Sequence, residues 1–306
     1  MELTFLGTGA GIPSKDRNVT AIILNLLAEI NQLWLFDCGE ATQHQLLHTS
    51  IKPRKITKIF ITHLHGDHIF GLPGLLSSRS FQGGEDGVTI YGPKGIRDFV
   101  ETSLRVSGSR LTYPLKYVEL QEACTVVEDT YFTVDCVVLD HGVQSFGYRI
   151  TEKDRLGKLD TSKLQDKGIQ PGPIYSDIKD NEMTVLDDGT VLYRKDFLGQ
   201  PKKGKIVVVF GDTRYVPQHQ HFIQHADVLV HEATFEQNKK DLAKDYYHST
   251  TEQAAILARD SRVGTLLLTH ISSRYQNGME KQLLEEARNV FPNTYIVRDF
   301  YNYTLK

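Results

Sequence analysis

His63-Leu64-His65-Gly66-Asp67-His68 places four strong metal-ligand side chains within six positions. They follow Lys58-Ile59-Phe60-Ile61-Thr62, a β-branched and aromatic run with the character of a buried strand. Residues two apart in an extended segment point to the same side, so His63 and His65 are set to grip one ion together. Asp67 and His68 come after a turn at Gly66 and project from a different backbone direction, which suits a second ion close by. Imidazole and carboxylate ligands without thiolate favour zinc, with manganese or iron behind it.

One loop does not complete a metal site, and further ligand-type residues recur in one setting. Cys136-Val137-Val138-Leu139-Asp140 leads into His141, Ile206-Val207-Val208-Val209-Phe210 into Gly211-Asp212-Thr213, and Thr265-Leu266-Leu267-Leu268-Thr269 into His270. Each apolar run suits a strand buried on both faces. Binding groups often collect at one end of a sheet. A single residue of this kind is more often a turn or capping residue; the repetition after buried strands is what points to a shared centre.

The assembled pattern, H-x-H-x-D-H, then a His, G-D-T and a last His, resembles the two-metal form of the metallo-β-lactamase superfamily. Other segments resemble the tRNase Z (ribonuclease Z) family, in its shorter form: Phe5-Leu6-Gly7-Thr8-Gly9-Ala10-Gly11-Ile12-Pro13 with Arg17-Asn18, Phe36-Asp37-Cys38-Gly39-Glu40-Ala41-Thr42-Gln43, His231-Glu232-Ala233-Thr234-Phe235 and Tyr247-His248-Ser249-Thr250. The resemblance implies a four-layer αββα sandwich over residues 1–306 with an inserted, extruded tRNA-binding arm at about 152–200. It implies two zinc ions, one on His63, His65 and His141, the other on Asp67, His68 and His270, with Asp212 bridging. Asp67 is then the general base, and His248, oriented by Glu232, the proton donor near the scissile phosphate. The implied reaction is removal of the 3′ trailer from precursor tRNA after the discriminator nucleotide, leaving a tRNA 3′-hydroxyl and a trailer 5′-phosphate. The family also implies a homodimer.

Elementary chemistry agrees with those roles. Two ions roughly 3.5–4 Å apart activate a water and offset charge developing on a phosphate. A carboxylate such as Asp212 has the two oxygens and the negative charge that bridging needs. An imidazole titrates near neutrality, so His248 suits protonation of a leaving oxygen, and a carboxylate such as Glu232 would favour its charged form. Ser249-Thr250-Thr251-Glu252 also reads as helix N-cap chemistry, so from the residues alone His248 is equally an ordinary polar residue before a helix. Arg274 suits bidentate phosphate contact or a plain surface position. Lys15, Arg17 and Asn18 are assigned to the acceptor stem by the resemblance.

Composition sets outer limits. Hydrophobic residues make up 40% of the 306, enough for a sizeable core, and no stretch of about 18 apolar residues marks a membrane span. Strand-like Leu3-Thr4-Phe5-Leu6 at the start reads as folded domain rather than signal peptide. Three widely spaced cysteines fit a reducing cytoplasm. A net charge of −3 is low for a polyanion binder, but two divalent cations would carry it to +1 and place the positive charge where phosphate must sit.

The elements that must position these residues are legible. Short strands dominate to about residue 150, with helices expected near 40–49, 68–79 and 94–105, and strand–helix alternation resumes from about 204. Gln253–Arg259 and Glu280–Ala287 have helical composition and spacing. Between them, 152–200 is rich in glycine, proline and mixed charge, so it reads as the arm or as a disordered linker. Gly7–Gly11 lacks nucleotide-loop spacing and suits a tight turn near the metals. His44 and His48 lack the glutamate of a zinc-protease helix, and His219, His221 and His225 read as surface residues. Two rival functions remain at this stage: a two-metal hydrolase of a small phosphodiester, ester or lactone, and an RNA-binding protein with a structural metal centre. Seven ligand-type residues for two ions leave open positions, which disfavours the second.

Overall fold

A computed structural model describes residues 1–275 and 278–305. Two seven-stranded sheets form the frame of the larger unit. In order across the first sheet lie Asn302–Thr304, Glu2–Gly7, Ala21–Leu26, Gln32–Phe36, Ile56–Phe60, Val88–Pro93 and Leu115–Leu120. Across the second lie Thr294–Ile296, Thr265–Thr269, Val228–Glu232, Ile206–Phe210, Ser145–Glu152, Phe132–Leu139 and Cys124–Glu128.

Side chains alternate across each strand, and the alternation explains the layers. Trp34 and Phe36 enter a cluster with Phe60, Phe132, Tyr148, Val207, Val209 and Leu267, which joins the inner faces of the two sheets. Their neighbours Leu33 and Leu35 face the other way, into a cluster with Leu72, Leu75, Leu76, Ile96 and Val100. Those residues lie on the helices Leu72–Phe81 and Ile96–Val106. On the second sheet, Val208, Leu266 and Leu268 pack against Ala254, Ala255, Leu257, Ala258, Leu283 and Ala287 of the helices Thr251–Asp260 and Glu280–Val290. Strands buried on both faces read as continuous apolar runs, as these do. The result is helix, sheet, sheet, helix: the αββα sandwich.

Within each sheet the strands that lead into the ligand-type residues run parallel. Gln32–Phe36 pairs parallel with Ile56–Phe60, and Ile206–Phe210, Val228–Glu232 and Thr265–Thr269 pair parallel in turn. Parallel neighbours bring their C-terminal ends to the same sheet edge, where Asp37, His63, Asp212 and His270 follow.

Three details depart from the sequence reading. The helix expected at 68–79 is two pieces, Gly66–Ile69 and Leu72–Phe81. Between them Gly71 donates its N–H to Cys38 O at 2.9 Å, and a Cβ there would fall 2.0 Å from Gly39 O, so only glycine permits the approach. His219 is buried rather than on the surface, with Nε2 3.2 Å from Val138 O and its ring against Phe210. The cysteines are less dispersed than their spacing suggests: Cys124 and Cys136 are cross-strand partners with Sγ atoms 3.6 Å apart.

Glu152–Lys205 forms a second compact unit. It is ordered around its own small core of Leu164, Ile169, Ile178, Leu192 and Phe197, so it is not a structureless linker. It contains the helices Thr161–Asp166 and Pro173–Asp180 and a hairpin of Met183–Val185 with Val191–Tyr193. The unit is closed at its base by Glu152 N to Lys205 O at 2.8 Å and by paired bonds between Arg155 and Lys202. Gly157 lets the two chain segments meet, because a Cβ there would lie 2.0 Å from Gly199 O.

Phe60 is fully buried, stacks on Tyr91 and Phe36, and lies 5.7 Å from the ring of Trp34. Phe60→Ala should therefore lower unfolding stability by about 3–5 kcal/mol. Urea titration followed by fluorescence of Trp34, the one tryptophan, measures it.

Candidate metal centre

The local backbone presents the H-x-H-x-D-H loop as expected from its sequence: His63 and His65 leave the strand Ile56–Phe60, and Asp67 and His68 sit in the short helix Gly66–Ile69. The loop Gly7–Gly11 does approach the cluster, with Gly11 N–H donating to Asp67 Oδ2 at 2.9 Å. Asp212 follows its strand in the second sheet, as does His270, which adopts a left-handed φ of 55°.

These residues converge in two overlapping groups. His63 Nε2 lies 3.1 Å from His65 Nδ1, and His141 Nε2 lies 3.2 Å from the same atom. Asp67 Oδ2 lies 3.4 Å from His68 Nε2 and 3.3 Å from His270 Nε2. Asp212 Oδ2 stands between the groups, 3.7 Å from His63 Nε2, 3.6 Å from His68 Nε2 and 3.3 Å from His270 Nε2. Among the described residues, ligand atoms within 4.8 Å of one another form the sets His63–His65–His141, His63–His68–Asp212, Asp67–His68–His270 and Asp212–His248–His270.

The hydrogen bonds behind the ligands set their tautomers. His68 Nδ1 donates to Asp37 Oδ2 at 2.7 Å, and His141 Nδ1 to the Tyr247 carbonyl at 2.9 Å. Carboxylate and carbonyl oxygens only accept, so Nδ1 carries the proton and the Nε2 lone pair faces inward. Thr62 Oγ1 gives its own proton to Asp37 Oδ2 at 2.8 Å and thus accepts from His63 Nδ1 at 3.0 Å. Thr234 Oγ1 does the same, donating to Glu232 Oε2 at 2.8 Å and accepting from His270 Nδ1 at 2.9 Å.

This donor set fits divalent metal. Nitrogen ligands about 2.0–2.1 Å from a tetrahedral ion lie roughly 3.3–3.4 Å from one another, close to the spacing of the three-histidine group. His68 Nε2 is buried and makes no hydrogen bond, a polar atom whose place in the cluster a cation would satisfy once its proton is displaced. Electrostatics point the same way. Burial pushes the His63 and His65 imidazoles below their ordinary pKa, leaving lone pairs available. Burial opposes charge on His68 too, but Asp212, Asp37 and Asp67 outweigh it and hold that imidazole well above its ordinary value. Burial would raise Asp212, yet His270, His68 and His63 keep it well below the usual carboxylate range. A surplus of buried carboxylate is thus balanced by protons on imidazole, a place a cation can take.

His248 and Glu232 form a second constellation alongside. His248 Nδ1 lies 2.9 Å from Glu232 Oε1 and 3.9 Å from Asp212 Oδ2. Burial lowers the His248 pKa, but the charge and hydrogen bond of Glu232 outweigh it and carry it up to about 9. Thr250 caps the following helix in a capping box with Gln253, so both readings of this segment hold: a cap, and a histidine beside the cluster.

The remaining sequence candidates sit apart from the ligand atoms. Lys15 is exposed on a cleft shared with His44, Arg298 and Phe300. Arg17 is buried and engaged with protein: Glu280 Oε1 at 2.7 Å, Thr8 Oγ1 at 2.6 Å and Val297 O at 2.7 Å. Asn18 Nδ2 donates to Glu40 O at 2.8 Å. Arg274 is exposed, its guanidinium 4.9 Å over the Phe235 ring. Sequence reasoning assigned no role to Asp37, Thr62 or Thr234. The only signal for Asp37 and Thr234 was membership of the family-like segments, and Thr62 offered none beyond adjacency to His63.

Comparison with known proteins places this geometry in a family. A family model described as anti-Pycsar protein Apyc1 matches residues 1–147. Ribonuclease Z of Oceanobacillus iheyensis is 57% identical over 306 residues, covering all of both chains. Ribonuclease Z of Bacillus cereus strain G9842 is 56% identical with the same coverage. The crystal structure of human tRNase Z, short form, aligns over all of both chains with a TM-score of 0.73 at 30% identity. With a metallo-β-lactamase sandwich, a metal-ready His/Asp cluster and full-length identity of this order, the chain belongs to the ribonuclease Z family.

Proposed function

We propose that this chain is a metal-dependent endoribonuclease that removes the 3′ trailer from precursor tRNA, cutting after the discriminator nucleotide to leave a tRNA 3′-hydroxyl and a trailer 5′-phosphate. The observation that carries the reading is the Glu232–His248 pair set against the His/Asp cluster in a chain of this family. In this proposal His63, His65 and His141 would hold one zinc ion and Asp67, His68 and His270 a second, with Asp212 the carboxylate that would be shared between them. Bound there, two divalent ions would supply Lewis acidity, acidifying a water and offsetting charge on the phosphate.

The chain's own groups do the rest. Asp67 stays ionised because His68 and His270 outweigh the effect of its burial. It is thus an anionic ligand and the proposed proton acceptor, with Oδ2 oriented by Gly11 N–H. His248 engages Glu232 through Nδ1, leaving Nε2 to give its proton to the departing 3′ oxygen. Arg274 and Lys15 are exposed cations suited to backbone phosphates, and Asn18 a polar contact beside Lys15, while the buried Arg17 anchors the Lys15–Asn18 segment through Glu280. The unit Glu152–Lys205 is the proposed tRNA-binding arm. The exposed Tyr193 and Val191 of its hairpin and Lys195, 5.7 Å over the Tyr193 ring, offer stacking and charge to RNA. The protein acts as a homodimer in the cytoplasm in this reading. Among the described residues no helix is long and apolar enough to cross a membrane.

A 5′-labelled, 3′-extended precursor tRNA should be cut once, next to the discriminator base, and chelation should abolish the cut. Turnover of a chromogenic phosphodiester with intact tRNA would instead favour the small-substrate hydrolase. Asp67→Ala should lose cleavage while keeping tRNA binding in a gel-shift assay. His248→Ala should lower kcat by about 10²–10⁴-fold, the usual worth of a general acid, with metal content unchanged. In the chelated protein the raised pKa of His248 means that its charged form contributes stability fully present below about pH 6.5, fading as pH rises through about 9. Glu232→Gln should lower that pKa and flatten the stability profile across this window. Imidazole NMR titration with urea denaturation at pH 6 and 9.5 would register both.

A further inference from the structure

We infer that Arg214 is a positioning residue for the metal centre, stapling three loops that each carry one proposed site residue; the inference rests on the roles proposed for His141 and His248. Arg214 lies two residues after Asp212. Its guanidinium grips Asp140, the residue before His141, with Nε 2.9 Å from Oδ2 and Nη2 3.0 Å from Oδ1. Its own N–H donates to the Asp140 carbonyl at 2.8 Å. The central carbon of the same guanidinium lies 4.1 Å over the ring centroid of Tyr247, the residue before His248. Tyr247 in turn accepts the His141 Nδ1 proton on its carbonyl at 2.9 Å.

The circuit closes. Arg214 reaches His141 by two routes, through Asp140 in the chain and through Tyr247 across space. Tyr247 adopts a left-handed φ of 60°, an unfavourable state for a bulky side chain that surrounding contacts must hold. A ring packed under a guanidinium supplies such a contact. The carbonyl it fixes decides which nitrogen of His141 is protonated, and hence whether Nε2 offers a lone pair towards His65 and His63. Nearby backbone bonds tie the same three loops: Thr213 Oγ1 accepts from Asp140 N, and Ser249 Oγ donates to Thr213 O at 2.7 Å.

Arg214 and Asp140 are 29% and 42% exposed, so their ion pair is screened and adds little to global stability. Its effect is on geometry. Lysine cannot replace the fork and the flat face together. That separates positioning from a plain contact with RNA phosphate, for which charge alone would suffice.

The test uses the metal-loaded protein with Arg214→Ala, Arg214→Lys, Asp140→Asn and the Ala/Asn double variant. Zinc affinity is read by competition with a chromophoric chelator, cleavage by steady-state kinetics on precursor tRNA at several salt concentrations. Positioning is expected to weaken zinc binding by about 10-fold and to lower kcat with KM and its salt dependence held. The lysine variant should behave like the alanine one, and the double variant should be no worse than either single. Unchanged zinc affinity overturns the inference, as does a raised KM that lysine restores with a salt slope reduced by about one, the signature of a phosphate contact. Should the wild-type protein leave tRNA intact, the functional proposal fails, while the chelator competition still decides the role of Arg214.

Discussion

The centre depends on one constraint: four histidines have their Nδ1 protons engaged on the protein, so their four Nε2 atoms face the two overlapping ligand groups. His63, His68, His141 and His270 meet this condition through Thr62, Asp37, the Tyr247 carbonyl and Thr234. Lone pairs and carboxylate oxygens converging at 3.1–3.7 Å repel unless a proton or cation lies between them. Such an arrangement costs stability, and it survives because each ligand is oriented by a partner that cannot turn away. The large inter-sheet cluster around Trp34, Phe60 and Tyr148 supplies the rigidity that offsets it.

Backbone conformation carries part of the same cost. Asp37 and His270 leave their strands in the left-handed region, at φ 54° and 55°. Neither is glycine, so each conformation costs on the order of 1–3 kcal/mol and persists only where the surroundings over-determine it. At Asp37 those surroundings are Thr62 N–H on Oδ1 at 2.7 Å and His68 on Oδ2. One buried carboxylate thereby links two strand ends and orients ligands from both proposed ion sites.

Glu232 has the corresponding place in the second sheet. Oε1 accepts from Ser249 N, Thr213 N and His248, and Oε2 from the Thr234 N–H and hydroxyl. Through Thr234 it reaches His270, and directly it reaches His248. The group proposed as proton donor and a proposed metal ligand are therefore oriented by one carboxylate, which couples the acid to the centre by geometry rather than by proximity alone.

How much of this was legible in the sequence follows from the range of each interaction. H-x-H-x-D-H was legible because its geometry is set within six residues by strand, turn and helix. His141, Asp212 and His270 were legible because each follows an apolar run, and for Asp212 and His270 parallel strands carry such ends to one edge. The runs marked strands buried on both faces, but such a strand fits between two helical layers as well as between a sheet and helices, so the order of the layers came from the family resemblance rather than from the runs. Other features turn on contacts between residues distant in the chain: the roles of Asp37 and Thr234, the burial of His219, the meeting of Cys124 with Cys136, and the span of Arg214 across three loops. Local pattern carries no record of such partners. By itself the sequence determined which atoms could bind metal and which strands would present them; only the tertiary structure decided which nitrogen of each histidine faces inward, because a tautomer is set by the hydrogen-bond partner that folding brings to the other side of the ring.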